Sequence, residues 1–308
     1  MVMVHRKLHQ SGSAAIYSGV HLLSGMAVAL KKMELTSETS QQVRNEIANM
    51  GRYGNAEGVL GLCAAWCEHC NSPPCGLLEE MPQEQETVFY TMPLAEDTFK
   101  SFPFEAWSAL SLRDRLEYFQ QTLVGLSSIH GQQMVHGAIS PSTLMLLGRK
   151  IYGDPKSARP VKAAISALRH THSPDRFDEA NHAGPWIAPE VRDGLPLYTK
   201  QSDIWSLAVT WLDTFRRLKS QAIITKTSHS SILQIVDRET DEPFRSLLKQ
   251  MLAWNPDERP DAERALAHGV WTRLLETMRE EESENRQSRH KRVCRSGLRQ
   301  VSPAPDDD

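Results

Sequence analysis

The stretch "DIWSLAVTWLDTF", residues 203–215, is apolar nearly all the way round a helix. A helix without a polar face has to be covered on every side. The rest of the chain must therefore supply enough structure to bury it, with Trp205 and Trp211 hidden from solvent. The chain has the means: 308 residues, 40% hydrophobic and 24% charged, an ordinary globular composition long enough for one large or two small folding units. More helices surround that centre in sequence. Leu112, Leu116, Phe119, Leu123 and Leu126 form an apolar stripe one helix wide. "FRSLLKQMLAW" (244–254) and "DAERALAHGVWTRLLETM" (261–278) read as two further helices.

The front of the chain follows a different period. Residues 4–33 alternate as strands do, with Ser24-Gly25 as a turn. Residues 37–53 read as a helix with Val43, Ile47 and Met50 on one face. Glu46 shares that face, an unusual place for a carboxylate. "GVLGLCAAW" (58–66) and "TVFYTM" (87–92) are two more expected strands, with a loop rich in Cys, Pro, Glu and Gln between them. The expected organisation is an α+β chain: a small β-rich part over about 1–95, a larger helical part over about 96–276, and a charged tail at 277–308 that should be disordered.

Composition excludes several function classes. Net charge is −3, so nothing in the bulk charge points to nucleic acid as a partner. No apolar run approaches the ~20 residues of a membrane span, and the N-terminus lacks the pattern of a signal peptide. Five Cys, an odd number in a chain of this length, do not make a disulfide framework. An intracellular location, cytoplasmic or nuclear, is expected. The stretch 286–299 holds six Lys/Arg and would serve as a nuclear signal, against the plainer reading of a solvated tail. Cys67, His69, Cys70 and Cys75 lie in one loop, and four such side chains suffice for tetrahedral zinc. Their spacing matches no familiar finger or ribbon, so no metal is expected there.

Certain residues carry more information than these patterns. "VALKK" (28–32) resembles the V-A-I-K strand of protein kinases, whose Lys holds nucleotide phosphates and pairs with a helix Glu. "HGAISPST" (136–143) fits the register of that family's H-R-D-L-x-x-x-N loop. "APE" is intact at Ala188, Pro189 and Glu190. "DIWSLAV" looks like the start of the family's buried central helix, and "NPDERP" (255–260) resembles the segment whose Arg pairs with the Glu of APE. The order is the family's, over roughly residues 4–276. The resemblance implies a bilobal protein-kinase-like α+β fold of serine/threonine type. Lys31, Glu46 and Leu94 would be the residues that meet a nucleotide, while His136, Asp203, Glu190 and Arg259 would be structural.

The reactive groups of that pattern are absent. Ala138 stands at the base position and Thr143 at a metal position, so neither the proton-accepting carboxylate nor the magnesium-holding amide is present. The D-F-G segment has two placements. One puts it at Ala167-Leu168-Arg169, after the strand "VKAAISALR"; the other puts Asp154 at the metal position. His9, Ser11 and Ala14 stand where three Gly would cradle phosphates. On these losses the chain is expected not to be an enzyme. It reads as a pseudokinase, a regulatory module or scaffold that binds other proteins, with no required cofactor and weak or absent ATP binding. The alternative is a residual or atypical ATP-dependent serine/threonine protein kinase.

Overall fold

The computed structural model describes residues 1–67, 87–174, 186–193, 198–216, 229–273 and 276, less positions 13, 37, 38, 55, 153, 241 and 243. The N-terminal part is an antiparallel sheet. Its strands are β1 (Val2–Ser11), β2 (Ala14–His21), β3 (Ala27–Glu34), β4 (Ala64–Cys67) and β5 (Thr87–Pro93), in the order β1-β2-β3-β5-β4. β3 pairs with β5 so that Leu30 faces Thr91 and Lys31 faces Tyr90; Val28, Ala29 and Leu30 of β3 and Val88 and Tyr90 of β5 are buried. Helix α1 (Ser40–Arg52) packs Val43, Glu46, Asn49 and Met50 inward. A glycine turn at Gly25, with φ +68°, joins β2 to β3.

A second sheet of three strands, β6 (Ala95–Thr98), β7 (Leu144–Tyr152) and β8 (Asp154–Ile165), begins the other part. Its helices are α2 (Phe104–Ala109), α3 (Leu112–Gly131), α4 (Pro189–Arg192), α5 (Lys200–Arg216), α6 (His229–Glu239), α7 (Phe244–Met251) and α8 (Ala262–Leu266). Helix α5 is the buried centre that its composition requires: Trp211 is 0% and Trp205 3% exposed. Phe119 of α3 stacks on Trp211 at 5.0 Å and on Phe244 of α7 at 5.6 Å, and the Trp211 indole N–H donates to Thr122 Oγ1 at 3.1 Å. The result is the bilobal α+β arrangement. No helix among the described residues is long and apolar enough to cross a membrane.

Three expected elements come out shorter, the helix expected over 244–254 ending at Met251. The strand expected over 58–66 is regular only from Ala64. Gly58 has φ +73°, and a Cβ there would lie 2.2 Å from the Gln121 carbonyl of α3. That close approach ties 58–60 to the end of β8, through Leu60 N–H to Ile165 O and Ile165 N–H to Gly58 O, each at 2.8 Å. The helix expected over 261–278 breaks after Leu266. The Trp271 indole turns back to donate to Ala265 O at 2.8 Å, and His268 Nδ1 accepts from Val270 N–H at 3.2 Å, capping a new turn. The expected tail at 277–308 lies outside the described residues.

Candidate active site

Strand β3 points Lys31 inward beneath the sheet, and α1 brings Glu46 to it. Lys31 Nζ and Glu46 Oε2 are 2.9 Å apart, with side chains 12% and 9% exposed. The ammonium also lies 5.2 Å from the centre of the Tyr90 ring, a cation–π contact that helps hold it. Leu94 follows β5, and its backbone N–H donates to Ala27 O at 3.2 Å. That donor is engaged within the sheet, so it does not present itself to a nucleotide. β1 and β2 pair up to Ser11 and Ala14, with a positive φ at Gly12; His9, Ser11 and Ala14 are not the glycines that let a backbone come close to phosphates.

The loop 135–143 is built on one carboxylate. Asp203, fully buried at the start of α5, accepts from His136 N–H at 2.7 Å, Gly137 N–H at 3.0 Å and the His130 ring at 3.0 Å. His136 is equally well fixed. Its Nε2–H donates to Ser166 O at 2.8 Å, and its Nδ1 accepts from Ala138 N–H at 3.2 Å. Both ring nitrogens are engaged by the neutral form. Burial holds the imidazole below its usual pKa, opposed by the charge of Asp203 and the bond to Ser166.

The sign of the pH dependence follows. The unfolded chain takes a proton at this residue near pH 6.5 and the folded chain resists it, so the stabilisation is complete above that pH. It is lost as pH falls from about 6.5 toward the lower folded-state value, at up to about 1.4 kcal/mol per pH unit. Urea unfolding at pH 7.5 and 5.5 should show a lower midpoint at pH 5.5, and His136→Gln should reduce that difference. Equal differences in both proteins would refute the assignment.

Ala138, Thr143 and Ala167 converge on one spot. The Thr143 hydroxyl lies 3.1 Å from Ala138 O and 3.0 Å from Ser140 O, and it accepts from Ser140 N–H at 3.0 Å. Ser166 donates to Thr143 O through its N–H at 2.8 Å and its hydroxyl at 3.0 Å, which brings Ala167 beside the loop. Thr143 therefore acts as a loop staple with its hydroxyl turned into the backbone. Ala167 has φ +62°, a left-handed conformation that costs an L-residue about 1–2 kcal/mol. Leu168 after it is fully buried. Asp154 is elsewhere. It opens β8 opposite Tyr152 at the hairpin end, whereas Ile165 pairs with Leu144 at the loop end. From Asp154 to Ile165 the strand runs roughly 35 Å, so the backbone of Asp154 lies at the end of the hairpin away from Leu144 and the loop. Nothing at 143 or 167 offers the carboxylate or amide oxygen that magnesium takes, and these positions do not fit that ion.

Arg259 holds Glu190 through two hydrogen bonds of 2.7 and 2.8 Å. Cys67 is buried at the end of β4, while His69, Cys70 and Cys75 lie outside the described residues; no metal-ligand cluster occurs among the described residues. Three participants were not read from the sequence. Asn49 donates to the carbonyls of Leu168 and Thr171, His130 supports Asp203, and Ser202 donates to Glu190 Oε1 at 3.0 Å. Asn49 carried a signal, since it sits three residues after Glu46 on the same helix face.

Comparison with known proteins bears on this geometry. The profile of the protein kinase domain family matches residues 3–271. Serine/threonine-protein kinase Nek3 of Mus musculus is 23% identical over 272 residues, covering 82% of this chain and 46% of that protein. Mitogen-activated protein kinase kinase kinase 3 of Arabidopsis thaliana is 28% identical over 159 residues, 49% of this chain and 24% of that protein. Serine/threonine-protein kinase nekl-2 of Caenorhabditis elegans is 24% identical over 164 residues, 49% and 42%. The chain thus spans less than half the length of these curated relatives. The expectation that the chain is not an enzyme is corrected by these matches, which place it beside protein kinase enzymes. That expectation rested on the combined losses at 138, 143, 167 and the 9–14 stretch, and in a reaction carried mainly by positioning and charge such losses slow transfer without requiring that the rate be zero.

Proposed function

The chain belongs to the protein kinase domain family, and from that premise we propose that it is an ATP-dependent serine/threonine protein kinase of atypical, slow chemistry. The observation that carries this reading is the assembled Lys31–Glu46 pair at 2.9 Å. A lysine ammonium held between a strand and an inward-facing carboxylate is oriented to receive phosphate oxygens. When bound, ATP supplies the transferable phosphoryl group. Lys31 binds and orients it, Glu46 keeps Lys31 in place through α1, and the Asp203-supported loop presents the backbone beside which a protein hydroxyl is placed. Positioning and charge are the main terms in this chemistry. Without a carboxylate at 138, the general-base contribution of about 10²–10⁴-fold is missing. The activity belongs inside the cell, where ATP is available, with other proteins as substrates.

A second reading rests on a different observation. The Leu94 N–H and the Thr143 hydroxyl are both engaged within the protein, so the domain also suits a regulatory role in which its conformation is recognised by a protein partner.

Thermal shift with ATP tests nucleotide engagement. Ligand at 100 times Kd stabilises by about 2.7 kcal/mol, a rise of roughly 5–11 °C for a domain of this size. The expected result is a rise with ATP that changes little on adding Mg²⁺ and disappears in Lys31→Met. No rise at millimolar ATP, or an equal rise in Lys31→Met, would refute the proposal.

A further inference from the structure

The β7–β8 hairpin runs past its buried root. Leu144 and Leu146 of β7 are buried, as are Ala163 and Ile165 of β8. At Gly148 and Lys162 the chain is exposed, yet the pairing continues beyond them. Arg149 stands opposite Pro160, Lys150 opposite Arg159 and Tyr152 opposite Asp154. β6 accompanies β7 only from Met145 to Leu147. From Gly148 outward the two strands form an arm with no third described strand beside it.

The charge of this arm is one-sided. Residues 149–162 hold five basic residues, Arg149, Lys150, Lys156, Arg159 and Lys162, against one acid, Asp154, in a chain whose net charge is −3. The register sharpens the imbalance. Lys150 and Arg159 are direct partners across the hairpin, and like charges so placed destabilise a strand pair. A hairpin that only closed the fold would gain nothing from that pairing, whereas a bound anion removes the repulsion. Basic residues on an edge also discourage pairing with a second copy of the same arm.

The backbone narrows the class of anion. Pro155 and Pro160 lie on β8, and proline has no N–H to give to a ladder. β7 from Gly148 to Tyr152 is the better edge, on the side that β6 leaves after Leu147. An extended peptide can add there as a strand in line with β6, its backbone giving affinity and its side chains specificity. A nucleic-acid duplex or a lipid headgroup makes no use of such an edge, and the acidic balance of the whole chain opposes a long polyanion.

We propose that the arm 148–162 is a docking surface for an acidic protein segment in extended conformation. The segment adds as a strand beside Gly148–Tyr152 and relieves the repulsion between Lys150 and Arg159. Alternate residues of a strand share one face, so the segment carries its acids two apart. The surface goes beyond phosphoryl transfer and does not depend on it.

The test is fluorescence anisotropy with the full chain, no ATP, and a labelled peptide of alternating Glu and Thr. The peptide should bind the wild type, and Lys150→Glu with Arg159→Glu should weaken it at least about ten-fold through like-charge contact. Arg238→Glu with Arg264→Glu changes the total charge equally at two exposed positions, and should leave binding within about two-fold of the wild type because distant surface charges are screened. Absent binding to the wild type, or equal weakening by the two pairs, overturns the proposal. Two further measurements use the wild type alone. The same peptide is N-methylated at alternate residues, in each of the two phases. One phase should bind at least about five-fold more weakly for want of its N–H donors, and full retention by both overturns strand addition. Phosphatidylserine vesicles and a short DNA duplex test the other anions, and tighter binding of either than of the peptide overturns the assignment to a protein segment. No step uses ATP, so failure here leaves the kinase reading standing, and absent phosphoryl transfer leaves this surface standing.

Discussion

Arg259→Ala is expected to lower the melting temperature by roughly 6–20 °C, the largest loss expected from truncating any single side chain of the site and its framework. All five N–H groups of this guanidinium are engaged. Nη1 and Nη2 hold the two Glu190 oxygens and also donate to Gln201 O at 3.0 Å and Trp254 O at 3.1 Å, and Nε donates to Ala253 O at 2.8 Å. The plane sits 4.9 Å over the Trp205 ring of α5, and the side chain is 0% exposed. Truncation strands the Glu190 carboxylate and three carbonyls in a site closed to water. Breaking a buried ion pair from one side costs about 3–5 kcal/mol, and a domain of this size loses about 2–4 °C per kcal/mol. Arg259→Lys should fall between, since an ammonium cannot reproduce the planar fork. Glu190→Gln combined with Arg259→Ala should recover part of the loss, because it removes the stranded charge. A melting temperature for Arg259→Ala indistinguishable from that of the wild type would contradict this role.

The second large effect is on rate. Ala138→Asp, Thr143→Asn and Ala167→Asp together should raise phosphoryl transfer by about 10²–10⁴-fold, the usual worth of a placed general base. The backbone at 138 is already fixed through His136 and Asp203, so an aspartate enters a prepared loop. At 167 the left-handed backbone, with φ +62°, is one that Asp tolerates better than Ala, so this change carries little conformational cost. At 143 an amide oxygen can replace the hydroxyl as acceptor for Ser140 N–H. Groups that act as a unit are not additive, so Ala138→Asp alone should give a small fraction of the gain. A folded, ATP-binding triple variant no faster than wild type would show that the scaffold lacks something beyond these three positions. Steady-state assay of the wild type, the single and the triple variant makes the comparison.

Much of the fold and the site is legible in the sequence. The all-round apolarity of 203–215 requires a central helix, and the carboxylate on the apolar face of 37–53 requires a partner, which proves to be Lys31. The limits have physical causes. Period and spacing do not fix where a long strand ends, so Asp154 and Ala167 are rivals in sequence, and only the β7–β8 hairpin puts Asp154 at its far end. A hydroxyl at 143 says nothing of whether it faces a ligand or the backbone; its turn toward Ala138 O depends on the loop closing. The shortening of the strand at Gly58 depends on α3, distant in sequence, meeting its backbone, a contact that no local pattern carries. Asn49 shows in the sequence only through its spacing, three residues after Glu46 on the same helix face; what its amide meets depends on Leu168 and Thr171, distant in sequence.

The most direct test of the central claim is transfer itself: purified chain with γ-labelled ATP and a mixed serine/threonine substrate, wild type against Lys31→Met. The predicted result is slow incorporation of label in the wild type, on serine or threonine, reduced to background in Lys31→Met. No incorporation above background, or equal incorporation in Lys31→Met, would contradict it.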